Sequence, residues 1–243
     1  MSRPSDPAVP DLYPHDHRAV SGGLARASVF GISDGLVSNV SLVIGIAGSG
    51  VGSTVVRLAG VAGAIAGGAS MAAGEWVSLS AQNELIGREV ALERRELTRN
   101  AAAETTELAH IYEDHGMSRG TAAAAAREVM AGHTERALKV HAREELGIDP
   151  HALGSPVQAA GLSLVCFLIG ALLPVIPWFA GGGRSAQIAS VLIGVVAAAL
   201  VGLLIGRYAE RSLGRSAARQ VLILLVACAA TYLIGRALGV TVS

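Results

Sequence analysis

The chain has 243 residues, 51% of them hydrophobic and only 16% charged, with 30 glycines and few aromatics. A soluble domain usually carries about a quarter charged residues, so this composition excludes an ordinary soluble globule. The formal net charge of zero conceals a strong segregation: charges are nearly absent from five stretches and crowded into the rest, the pattern of a membrane protein.

Residues 1–17 are polar and rich in proline (Pro4, Pro7, Pro10, Pro14). They lack a basic start followed by an apolar core, so they read as a disordered cytoplasmic tail without a cleavable signal. Against the ~20 apolar residues that a spanning helix needs, five segments qualify. The first two lie within residues 18–80: Ala27 to Ala47, with Asp34 as its one formal charge, and Leu58 to Leu79, with Glu75. Residues 156–243 supply the other three: Val157 to Ala180, Ile188 to Gly206 and Gln220 to Val240. Cys166 and Cys228 fall inside apolar runs and read as small packing residues.

Between the second and third spans lies a different material. Residues 81–155 hold most of the chain's 19 acidic residues and no apolar run long enough to cross. They read as four helices: a continuation of the second span from Gln82 to Leu97, then Ala101 to Glu113, then one capped by Ser118, then one from Thr134 to Gly147, with Pro150 as a stop. The fold class is therefore all-α: a polytopic membrane protein with five transmembrane helices and a helical insert. Arginines set its orientation. Arg207, Arg211, Arg215 and Arg219 join the last two spans, and Arg88, Arg94, Arg95 and Arg99 follow the second. The positive-inside rule then places the N-terminus and the insert in the cytoplasm and the C-terminus outside.

The insert's acids are spaced for metal. Glu93 and Glu96 are three apart, as are Glu104 and Glu107, so each pair shares a helix face. Four carboxylates in one volume repel unless cations or protons neutralise them, and their oxygens suit hard or borderline divalent ions. His141 and Glu145, at i and i+4, add a nitrogen and another oxygen. The competing reading is a solvated acidic surface paired with Arg94, Arg95 and Arg99. Glu107 and His110 form a Glu-x-x-His, but a di-iron bundle needs two such motifs.

Membrane acids carry more weight, because a carboxylate in hydrocarbon is costly and functional by default. Asp34 lies about 12 Å inward from Arg26 at 1.5 Å per residue. On the antiparallel second span, Met71 falls at similar depth, with Glu75 one turn nearer the cytoplasm. Oxygen with thioether suits a borderline ion such as Fe2+. Gly31 and Gly35, then Gly63 and Gly67, predict close helix contacts, within or between subunits.

Ser33-Asp34-Gly35-Leu36, followed by Ser70 through Ser78 (SMAAGEWVS), resembles the vacuolar iron transporter family over nearly the whole chain from His17 onward. The resemblance implies a homodimer whose metal path lies between the first two helices of both subunits, moving Fe2+ or Mn2+ out of the cytoplasm in exchange for protons. It implies that Asp34 and Met71 line the path and that Glu93, Glu96, Glu104, Glu107 and Glu145 match the cytoplasmic metal ligands. His141 stands where plant-type members have methionine, Gly63 where they have glutamate and Ala27 where they have aspartate. The first change substitutes a nitrogen ligand and admits Zn2+ to the insert. The other two weaken the implied proton route, part of which falls to Glu75.

The expected protein is a transporter, not an enzyme, with a divalent ion as substrate, a lipid bilayer around it and no nucleic-acid partner. It is placed in the cell membrane, or in the vacuolar membrane of a eukaryote. A membrane-bound ferritin-like iron oxidase or store, and a non-transporting metal sensor or scaffold, are the competing functions.

Overall fold

The computed structural model describes residues 23–132, 134–149 and 153–242. The expected disordered tail, residues 1–17, and the helix stop at Pro150 lie outside them. Among the described residues the chain is helical: α1 (Gly23–Gly48), α2 (Ser53–Arg99), α3 (Ala101–Asp114), α4 (Arg119–Met130), α5 (Thr134–Glu144), α6 (Pro156–Leu172), α7 (Pro177–Ala180), α8 (Gly183–Tyr208) and α9 (Leu213–Val242). Among the described residues, five segments are long and apolar enough to cross a bilayer: Ala27–Gly48, Ser53–Arg99, Pro156–Ala180, Gly183–Tyr208 and Leu213–Gly239.

The second span does run on into the insert. Helix α2 has 47 residues, about 70 Å at 1.5 Å per residue, against a hydrocarbon core of about 30 Å. Its charged C-terminal half therefore projects into water, where α3 and α5 pack against it and α4 packs on α3 and α5. Local chemistry sets their ends. Asn100 alone separates α2 from α3, its N–H bonding to the Glu96 carbonyl at 2.8 Å, and the Ser118 hydroxyl caps α4 by accepting from the Thr121 N–H.

Prolines divide the third span. Helix α6 starts with Pro156 after the Ser155 cap and ends at Leu172, followed by a 3-10 turn, Leu173–Val175, and then α7. A break in hydrocarbon leaves backbone carbonyls in need of partners. Ser190 of α8 meets one, donating to the Pro174 carbonyl at 2.6 Å while accepting from the buried Trp178 indole at 2.9 Å.

Helix α1 is the hub of the membrane body and packs against α2, α6, α8 and α9. Glycine permits the closest approaches: a Cβ at Gly35 would collide with the Phe167 backbone of α6, and one at Gly235 of α9 with the Gly45 carbonyl. Gly63 faces Leu42 and Asn39 of α1, and Gly67 faces the Phe167 ring. The glycine pairs thus serve contacts within one chain. Cys166 and Cys228 are buried free thiols, and Cys228 lies in an apolar cluster with Leu36, Val40 and Leu224.

One polar residue ties this body together. Asn39 is 2% exposed and donates to the Gly60 carbonyl of α2 at 3.0 Å and to the Ala171 carbonyl of α6. Interhelical hydrogen bonds in a membrane are worth about 1 kcal/mol each. The Asn39→Ala variant should therefore lose about 1–2 kcal/mol, read as a lower midpoint of thermal unfolding in detergent, with the helical content of the folded state unchanged.

Candidate metal centre

The insert has an apolar core with three polar side chains set into it. On α2, Glu93 stands one turn before Leu97, which packs with Ala137 and Leu138 of α5. On α3, Glu104 stands one turn before Leu108, which packs with Ala126 of α4 and Val140 of α5. On α5, Ala137, Leu138, His141 and Ala142 form the buried face. Each of Glu93, Glu104 and His141 therefore occupies a position where helical period calls for an apolar residue.

These three converge. Glu93 is 4% exposed, Glu104 5% and His141 0%. One ligand atom from each lies within 4.8 Å of the others. His141 Nδ1 is 3.1 Å from Glu93 Oε1 and 3.7 Å from Glu104 Oε2. Even so, Glu93 Oε1, His141 Nδ1 and His141 Nε2 lack a hydrogen-bond partner. A buried polar atom left unsatisfied normally costs about 1–3 kcal/mol. A divalent cation among two carboxylates and an imidazole would satisfy Glu93 Oε1 and His141 Nδ1, the ring nitrogen nearest both carboxylates, at once.

Charge crowding has the same sense. Burial, then the Glu145 and Glu104 carboxylates, push Glu93 from 4.5 up to about 7, and a hydrogen bond toward Glu145 adds to this. Burial, then Glu107 and Glu96, raise Glu104. Burial, then Glu107, raise Glu145. Burial lowers His141, against the upward pull of Glu107. Glu96, Glu107 and Glu145 are themselves exposed, so they form a wet acidic rim around a dry inner triad.

The six insert residues picked out in the sequence thus occupy one neighbourhood, but unequally. Spacing treated the four glutamates of α2 and α3 as equivalent; packing divides them into Glu93 and Glu104 inside, Glu96 and Glu107 outside. The signal was present in the leucines at i+4 from each buried acid. Arg94 does not neutralise the cluster, because it makes a bidentate pair with Glu135, at 2.6 and 3.2 Å. His110 is exposed and lines a groove between α3 and α4 with Glu113, Arg119 and Arg127, apart from the triad.

In the membrane body, Asp34 is exposed on α1, where its carboxylate accepts from the Ser38 hydroxyl at 3.1 Å. Met71 is half-buried on α2 and packs against the cluster of Ala64, Phe167 and Ala171. Glu75 is half-buried one turn further along. Phe167 links the two levels: its backbone abuts Gly35, next to Asp34, and its ring abuts Gly67, one turn before Met71. Sequence reading passed over Asn39, which lies between these helices. A lone amide side chain within an apolar run was the available signal.

Comparison with known proteins extends these observations. The VIT family profile matches residues 25–236. Vacuolar iron transporter 1 of Eucalyptus grandis is 28% identical over 216 residues, 87% of this chain and 85% of that protein. A vacuolar iron transporter of Acanthamoeba castellanii is 35% identical over 185 residues, 70% of this chain and 66% of that protein. Vacuolar iron transporter 1 of Oryza sativa subsp. japonica is 27% identical over 221 residues, 90% of this chain and 87% of that protein.

The titration of the triad has a measurable consequence. A carboxyl with a raised folded pKa contributes stability that is full below its unfolded value and is lost as pH rises through the folded one. For Glu93 that window runs from 4.5 to about 7. His141 works the other way, costing stability as pH falls below about 6.5. Once His141 no longer offsets it, above about pH 6.5, the metal-free protein should therefore lose thermal stability as pH rises to about 7 and level off beyond that. Glu93→Gln should flatten that decline, and added Mn2+ or Zn2+ should reverse it in the unsubstituted protein only, as followed by melting curves at each pH.

Proposed function

The chain belongs to the VIT family, and from that we propose that it moves a divalent metal ion, Fe2+ or Mn2+, out of the cytoplasm. The observation that carries this reading is the inner triad, Glu93, Glu104 and His141, buried with Glu93 Oε1 and both imidazole nitrogens lacking a hydrogen-bond partner. A solvated acidic surface would not spend core positions on such groups. The wet rim of Glu96, Glu107 and Glu145 collects ions from solution, and the triad strips water from one of them.

Asp34 and Met71 then supply an oxygen and a thioether for passage through the bilayer. A carboxylate facing lipid would be costly, and Asp34 is exposed on the single chain. A homodimer in which the α1 and α2 faces of two copies meet would cover it and enclose the path. In this arrangement the N-terminus and insert are cytoplasmic and the C-terminus lies on the far side. Residues 81–155 act as the metal-collecting domain of a transporter, not as an enzyme. The di-iron oxidase alternative loses ground because His110 lies outside the triad.

Proton exchange follows from competition: metal displaces protons from carboxyls titrating near neutrality, and Glu93 does so at about 7. Glu75 carries the proton within the membrane, standing in for acids absent at positions 27 and 63. His141 makes the triad a nitrogen-containing site, which also accepts Zn2+.

The test is uptake of Fe2+, Mn2+ and Zn2+ into proteoliposomes, with and without an imposed pH gradient. Transport of Fe2+ or Mn2+ should speed up when the destination is acidic. Asp34→Ala should abolish it in protein that still folds. Glu93→Gln and Glu104→Gln should raise the KM about tenfold, the scale of one lost charged contact, while largely sparing the maximal rate. His141→Met should weaken competition by Zn2+ more than by Mn2+. Full transport by Asp34→Ala would remove the proposed path.

A further inference from the structure

The hairpin between α8 and α9 lies outside the metal path proposed above, yet it is a built feature. Residues 209–212 connect the two helices. The Arg211 N–H donates to the Gly206 carbonyl at 2.9 Å, the Ala209 N–H donates to the Ile205 carbonyl at 2.9 Å, and Glu210 takes a left-handed φ of 52°. This closes the end of α8 in the manner of a helix C-terminal motif, with a non-glycine residue accepting the cost of the left-handed position. Just below, a Cβ on Gly202 would strike the backbone of Ser216 and Ala217, so the two helices meet almost backbone to backbone. The tip is pinned.

On this scaffold sit Arg207, Arg211, Arg215 and Arg219, all exposed. The ion pairs among the described residues involve other side chains: Arg94 with Glu135, His115 with Glu144, Arg143 with Asp149, and the triad. Glu210 is the single acid in the stretch from Arg207 to Arg219. Between the arginines, Tyr208 and Leu213 are 56% and 46% exposed. Guanidinium groups interleaved with an aromatic and an aliphatic side chain at the ends of two spans suit the headgroup layer. There the apolar groups enter the acyl boundary and guanidinium grips phosphate in a bidentate fashion. A soluble anion would have no use for the exposed Tyr208 and Leu213.

Topology fixes the leaflet. The chain leaves the bilayer along α2 into the insert, crosses with α6 and α7 and returns with α8, so the tip lies on the insert's side. We propose that the α8–α9 hairpin is a binding site for anionic phospholipid headgroups of the leaflet from which the insert projects. The site biases the annular lipid around the least self-buried span, α9, and holds that end of the body at a fixed depth.

Full-length protein, purified in mild detergent and offered an equimolar mixture of phosphatidylglycerol and phosphatidylcholine, tests this by native mass spectrometry. Retained lipid should favour phosphatidylglycerol. Arg211→Gln/Arg215→Gln should reduce that preference about tenfold, since each arginine near a membrane surface adds severalfold to anionic-lipid affinity. Arg211→Lys/Arg215→Lys, which keeps the charge but loses the bidentate fork, should give a smaller reduction than the glutamine pair, and Arg57→Gln/Arg184→Gln, on the opposite face, should leave the preference intact. If the double glutamine variant does not fold, Arg211→Gln alone should show a severalfold reduction. Equal preference in the unsubstituted and glutamine-substituted proteins would overturn the proposal. So would complete displacement of the lipid by inorganic phosphate, which would mark a soluble-anion site. Loss of dimer mass with unchanged lipid retention would also overturn it, by pointing to a protein partner.

Discussion

Two carboxylates and an imidazole share the dry centre of the insert, and the architecture around them follows from the need to tolerate that. Glu93 and Glu104 cannot both ionise there without a compensating positive charge. The insert is more stable with protons or a cation in that space, and its shape is what keeps water out of it. A one-residue turn at Asn100 folds α3 back along α2, so that Glu104 reaches the level of Glu93. The apolar contacts of Leu97 with α5 and of Leu108 with α4 and α5 then press His141 into the gap. If any of these contacts loosened, the triad would become an ordinary wet acidic surface.

The same long helix links that centre to the membrane. Met71 and Glu93 are both on α2 and are 22 residues apart, about 33 Å at 1.5 Å per residue. Docking of α3 and α5 on the free half of α2 therefore bears on a rod whose other half lines the membrane body. Asn83 anchors the rod where it leaves the apolar region, its amide donating to the Gly154 carbonyl at 2.9 Å, just before α6 begins. Within the bilayer α1 is the fixed element, held by glycine contacts to α6 and α9 and by Asn39 to α2 and α6. Phe167 sets the common level of Asp34 and Met71.

Much of this was legible in the residues alone, for identifiable reasons. Apolar runs and their flanking arginines mark spans because hydrocarbon admits no alternative. Ser118 marks a helix start because orphan N–H groups there must be satisfied. The spans came out longer than hydropathy alone suggests: α8 begins at Gly183 and α9 at Leu213, because helices continue through polar residues into the interface. The division of the glutamates was not extracted, since i,i+3 spacing tells which acids share a face and not which face meets the core. Asn39 escaped notice because its importance depends on carbonyls of two other helices far away in sequence. The pairing of Arg94 with Glu135, rather than with the cluster, likewise needs the packing of α5 on α2.

The central claim is that Glu93, Glu104 and His141 hold a metal ion directly. X-ray absorption at the manganese and zinc edges of full-length protein, loaded with one equivalent of each ion, tests it without relying on transport. The account predicts a first shell of oxygen and nitrogen only, with an outer-shell imidazole signature that disappears in His141→Ala. An ion surrounded by water alone, or a spectrum unchanged by loss of the imidazole, would contradict it.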